Sequence, residues 1–145
     1  MADTNMMAGG VNRTVAMIAG AVLVLVGLLG FFNDPILGLF ETNALHNIIH
    51  LVTGAALLGS AFVGDNRERT ARMTLLTFGV IYAVVTLLGF VAPGIAGSIF
   101  GDDGTNNVGI MPDNILHLLL TVVFLAVPLL VKEDVRRPMT TSPRI

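Results

Sequence analysis

Four stretches of the chain are continuously apolar, at 14–32, 45–63, 73–92 and 115–131, each 17 to 20 residues long. At ~1.5 Å of rise per residue, a helix of that length crosses a hydrocarbon layer ~30 Å thick. Turn-forming or charged residues separate the runs: Asn33-Asp34-Pro35, the charged stretch 65–72, Pro93-Gly94, and the polar stretch 101–107. None of the runs alternates apolar with polar positions, and four strands could not close into a barrel without leaving unpaired edges. The pattern therefore predicts an all-α membrane protein of four transmembrane helices. The first run exceeds the ~7–15 apolar residues of a cleavable leader and no small-residue cleavage site follows it, so it is expected to be retained.

Composition agrees with this reading. Of 145 residues, 54% are apolar and 12% charged, and the mean hydropathy is +0.81. Soluble domains carry roughly 25% charged residues, so a water-facing coat for this chain is about half missing. Lipid is the solvent it calls for. A net charge of −2 and the lack of any basic run exclude a nucleic-acid partner. With no cysteine in the chain, disulfides and thiolate metal sites are impossible, and any metal would need nitrogen or oxygen ligands.

Charge placement orients the spans. All eight basic residues fall on one side of this topology: Arg13 before the first run; Arg67, Arg69 and Arg72 between the second and third; Lys132, Arg136, Arg137 and Arg144 after the fourth. The other two connections contain no Lys or Arg and carry Asp34, Glu41, Asp102, Asp103 and Asp113. By the positive-inside rule both termini are cytoplasmic, in a cell membrane. Residues 1–13 and 132–145 are polar and without apolar periodicity, and are expected to be a flexible N-terminus and a cytoplasmic tail flanking a membrane domain at 14–131.

The chain echoes itself. Leu28-Leu29-Gly30-Phe31 closes the first run and Leu87-Leu88-Gly89-Phe90 the third; Asn43-Ala44-Leu45-His46 opens the second and Asn114-Ile115-Leu116-His117 the fourth. Two similar helical hairpins are expected, related by an axis along the membrane normal, with His46 and His117 as equivalents. Together with Asn-x-x-His-Asn-x-x-His-Leu-x-x-Gly over 43–54, Gly-Val-x-Tyr at 79–82 and Asp-Asn-x-Leu-His-Leu at 113–118, these motifs resemble the DUF4383 family. The resemblance implies a small prokaryotic four-helix membrane protein and carries no assigned activity.

The three histidines, His46, His50 and His117, lie in the outermost turns of the second and fourth helices. Asn43, His46, His50 and Gly54 follow helical three-and-four spacing, with Asn47 at the edge of the stripe, and Asp113, His117 and Thr121 do the same. One reading is a structural polar cluster: Asn43, and Asp113 or Asn114, cap helix starts, His and Asn side chains hydrogen-bond across the helix interface, and Gly54 admits a ring from a neighbouring helix. A second is a metal site of His46, His50 and His117, with Asp113 as oxygen ligand or orienting group, suited to zinc or copper; its variant makes His46 and His117 the axial ligands of a haem. A third is a small transporter or channel, which the lack of Asp, Glu, Lys or Arg in mid-span disfavours. Small residues at contact spacing, Ala16 and Gly20, Ala56, Ser60 and Gly64, Gly79 and Ala83, are expected at helix contacts within the chain or with a second copy or another membrane protein. No nucleophile motif or phosphate loop is present, so the expectation is a non-enzymatic structural or accessory protein that requires no cofactor, with metal- or haem-binding redox or sensory roles, and transport, as the alternatives.

Overall fold

The computed structural model describes residues 10–101 and 111–131. The expectations for the N-terminal segment, for the acidic stretch around Asp102 and Asp103, and for the basic tail lie largely or wholly outside those residues. Within them the protein is all-helical: α1 (Val11–Leu29), α2 (Ala44–Ser60), α3 (Arg67–Val91), α4 (Pro93–Phe100) and α5 (Met111–Leu130). α1, α3 and α5 are long and apolar enough to cross a membrane; α2 is a shorter apolar helix of 17 residues.

Two departures from the sequence reading matter most. The charged stretch expected as a connection is the first turn and a half of α3, because Asn66 caps that helix by accepting from Arg69 N at 3.0 Å. Glu68 then stands in the first turn, where a carboxylate is favoured. Its two oxygens accept from Asn12 N (2.9 Å), Asn12 Nδ2 (2.7 Å) and Arg13 N (2.9 Å), so one side chain satisfies the open donors at the start of α1. The second difference is α4, an eight-residue helix where only a break was expected. Pro93 sits in its first turn, where a missing N–H costs nothing, and Gly101 ends it in the left-handed region at φ +91°.

Packing is inverted relative to a soluble protein. Large apolar side chains such as Ile18, Val22 and Leu25 on α1, Val80, Val84 and Leu87 on α3, and Leu119 and Val122 on α5 face outward. Asn12, His46, Asn47, His50, Thr53, Thr86, Asn114 and His117 are buried. Lipid gives no reward for hiding Leu from Leu, so close backbone approach and interhelical hydrogen bonds must hold such helices together. Gly20 and Gly54 provide the approach: a Cβ on Gly54 would stand 2.7 Å from Gly20 O, and one on Gly20 2.8 Å from Gly54 O. Gly54 therefore admits a helix backbone, and the aromatic ring expected there is absent. Ala56 is exposed, Gly64 lies beyond the end of α2, and neither forms the expected contact stripe.

Contacts in α1 and α2 recur in α3 and α5. Arg13 Nε donates to Ala61 O at 2.8 Å, and Arg72 Nε donates to Pro128 O at 2.9 Å. A Cβ on Gly30 would overlap the Asn47 amide, and one on Gly89 the Asn114 amide. The buried positions of α1, Asn12, Ala16, Gly20, Leu23 and Gly27, are matched 59 residues on by Ala71, Leu75, Gly79, Tyr82 and Thr86. The two arginine bonds and the Glu68 bonds bring the starts of α1 and α3 together with the ends of α2 and α5.

Candidate metal centre

The histidines gather at the opposite end of the bundle. Asn43 caps α2, its Oδ1 accepting from His46 N at 2.8 Å, and this fixes the first turn so that His46 and His50 project inward one above the other. Their ring centroids are 4.4 Å apart. His117 comes from the second turn of α5, with its centroid 5.7 Å from His46 and 6.3 Å from His50. One nitrogen from each ring lies within 4.8 Å of the others, and all three side chains are buried. An ion at the centre of such a triangle stands about 2.8 Å from each corner, so each nitrogen closes in by about 0.7 Å to reach the ~2.0–2.1 Å of a zinc–imidazole bond.

Asp113 sits one turn before His117, and its Oδ2 is 3.2 Å from His117 Nδ1. With Nδ1 engaged there, Nε2 is the nitrogen left for a ligand. Neither Asp113 nor Asn114 caps the helix, which begins at Met111. Asn114 Nδ2 instead donates to Gly89 O at 3.0 Å, pinning α5 to α3. One turn below, Thr121 Oγ1 donates to His117 O at 2.8 Å and lies 3.2 Å from Thr86 Oγ1, whose proton completes the pair. His117 is thus positioned from both sides along its own helix.

His46 and His50 have no such partners. The expectation that the histidines hydrogen-bond across the interface fails for both: Nδ1 and Nε2 of each ring are buried without a hydrogen bond. The Phe100 carbonyl is near His46 but outside hydrogen-bond geometry. Among the described residues, eight buried side-chain polar atoms lack a partner, and five belong to His46, His50 and Tyr82. All three line one cavity of about 40 Å3, with His117, Ile49, Thr53, Ile81, Val85 and Phe100. Leaving a buried polar group unbonded is costly, so this concentration in one wall needs a reason. The cavity is far below the several hundred Å3 of an organic-ligand pocket, and a haem between His46 and His117 would require the helices to part.

The sequence missed two features of the site. Tyr82 of α3 stacks near His117, with centroids 5.5 Å apart. Phe100, the last residue of α4, covers His46 at 5.7 Å, and Asn43 Nδ2 holds α4 there by donating to Ile99 O at 2.9 Å. Gly-Val-x-Tyr, one of the motifs quoted above, contains Tyr82, but nothing in one dimension tells that it meets the histidines.

A bundle with outward apolar faces, three spanning-length helices and a buried three-histidine cluster defines a helical, multi-pass membrane protein. Its residues 13–130 match the family described as Domain of unknown function (DUF4383), and the chain belongs to that family. No curated protein and no solved structure matches it.

Proposed function

We propose that this protein is a non-enzymatic metal-binding membrane protein that holds one zinc or copper(II) ion through His46, His50 and His117. The observation that carries the reading is the meeting of one nitrogen from each of three buried rings within 4.8 Å, two of the rings without any protein hydrogen bond and the third oriented by a carboxylate. Neutral imidazole is a preferred donor for both ions, and a metal-bound histidine generally gives its other nitrogen to a carboxylate or carbonyl. Retention is favoured over passage: among the described residues, no Asp, Glu, Lys, Arg or His lies between the histidine level and the arginine end of the bundle.

The proposed arrangement in the membrane has four spans in two hairpins, α1 with α2 and α3 with α5, both termini cytoplasmic and the histidines toward the outer face. Support comes from the matched Arg13 and Arg72 bonds and the matched glycine–asparagine contacts. These contacts support a register that differs from the one read in sequence, pairing Asn47 with Asn114 and His50 with His117. His46 then falls opposite Asp113, so the first hairpin contributes two rings and the second one ring with its orienting carboxylate.

The test is equilibrium dialysis of detergent-purified, chelator-stripped protein against zinc. One ion per chain is expected, with His50→Ala weakening binding at least 100-fold while the thermal unfolding transition persists. Zinc uptake no greater than that of the detergent blank, or uptake unchanged when all three histidines are replaced, would overturn the reading.

A further inference from the structure

Three nitrogens leave one side of an ion without a protein donor. A structural zinc site is closed by four protein ligands, whereas three leave a place for an exchangeable one. The carboxylate beside the cluster, Asp113, is engaged with His117 Nδ1 at 3.2 Å, which makes it the group that orients the ring. The open side is where Tyr82 matters. Its hydroxyl is buried with no partner in hydrogen-bond geometry, the Thr53 side chain being near but outside it, in a residue only 4% exposed, and the phenol ring lies 5.5 Å from His117. Thr53 adds a second hydroxyl to the same wall, and the remaining surface is apolar. A single water fills about 10–15 Å3 of such space, so 40 Å3 admits a donor of very few atoms and nothing larger.

Building on the metal-site reading, we infer that the ion keeps its fourth position open toward Tyr82, where it takes an exchangeable donor of one to three non-hydrogen atoms. Water is the resting occupant and a small linear anion can displace it, in each case accepting a hydrogen bond from Tyr82 Oη. In the register of the two hairpins Tyr82 stands where α1 has Leu23, so the hydroxyl is present on one side of the bundle only.

Cobalt(II) in place of zinc makes the position visible, because its absorption in the visible range changes with coordination. The detergent-solubilised full chain, loaded with cobalt, is titrated with sodium azide. One cobalt per chain and a saturable azide-induced spectral shift are expected. Tyr82→Phe should keep the cobalt stoichiometry and bind azide about tenfold more weakly, the ratio that follows from one lost hydrogen bond. Stoichiometric cobalt whose spectrum azide does not alter would mean that the protein fills the fourth position, and the inference fails while the metal site stands. Equal azide affinity in Tyr82→Phe would remove the tyrosine from the proposal. Failure to bind cobalt at all would overturn the metal site and the open position together.

Discussion

The contact between Gly20 and Gly54 makes a quantitative prediction, because two glycines of one helix can serve as test and control. A methyl group on Gly54 would lie 2.7 Å from Gly20 O and 2.7 Å from Val24 N, both backbone atoms that cannot swing aside. Ordinary van der Waals contact begins near 3.4 Å, so Gly54→Ala has to push α1 and α2 apart by about 0.7 Å along their closest line. Overpacking of this kind costs about 1–3 kcal/mol. The gain in helix propensity from Gly to Ala returns about 1 kcal/mol, leaving a net loss of up to about 2 kcal/mol. Gly59, five residues along α2, has nothing within 4 Å of its would-be Cβ, so Gly59→Ala meets only the favourable side of the balance. Thermal unfolding followed by circular dichroism in a mild detergent separates the two. At roughly 2–4 °C per kcal/mol for a chain of this size, Gly54→Ala should melt up to about 8 °C below wild type, and Gly59→Ala at or slightly above it. If Gly54→Ala melted with or above Gly59→Ala, the α1–α2 interface would not rest on backbone contact.

Two further outcomes follow from named hydrogen bonds. Asp113→Asn loses the charge that orients His117 Nδ1, and should weaken zinc binding about 10–100-fold with the stoichiometry intact; loss of binding in a folded variant would make Asp113 a direct ligand. Glu68→Ala leaves the start of α1 with three donors to be satisfied by water or not at all, and should destabilise the bundle by about 1–3 kcal/mol in the same thermal assay without changing zinc affinity.

The all-helical, apolar character of the chain is legible in its sequence because its cause is local. Long apolar runs must bond their own backbone in lipid, and the runs can be counted in the chain. One of their ends is set by a single side chain: Asn66 begins α3 six residues before the expected start by capping it. α4 escaped notice because an eight-residue segment containing Pro93, Gly94 and Gly97 has the composition of a turn, and its docking on Asn43 joins positions 56 residues apart. Spacing alone drew attention to His46, His50 and His117. What spacing cannot reveal is which helix face each small residue takes: Ala56 has contact spacing yet faces outward, and the partner of Gly54 is a helix backbone and not a ring.

The polar interior separates into two populations, and the separation bears on function. Asn114, Thr86, Thr121 and the first-turn amides of α1 all spend their hydrogen bonds on holding helices or turns together. For these groups burial in a bundle surrounded by Leu and Val is the means of helix association, since apolar contact alone discriminates little in lipid. His46 and His50 take on the same cost of burial and return no bond for it, while the capped turn of α2, the packed Phe100 and the pinned start of α5 keep their rings facing His117. If packing were the only demand, Leu at His46 and His50 would fill the space without four unpaired nitrogens. The geometry is therefore more economically read as a site held ready for a positively charged ligand than as a core, and replacing both rings with Leu is expected to raise the unfolding temperature as it abolishes metal uptake.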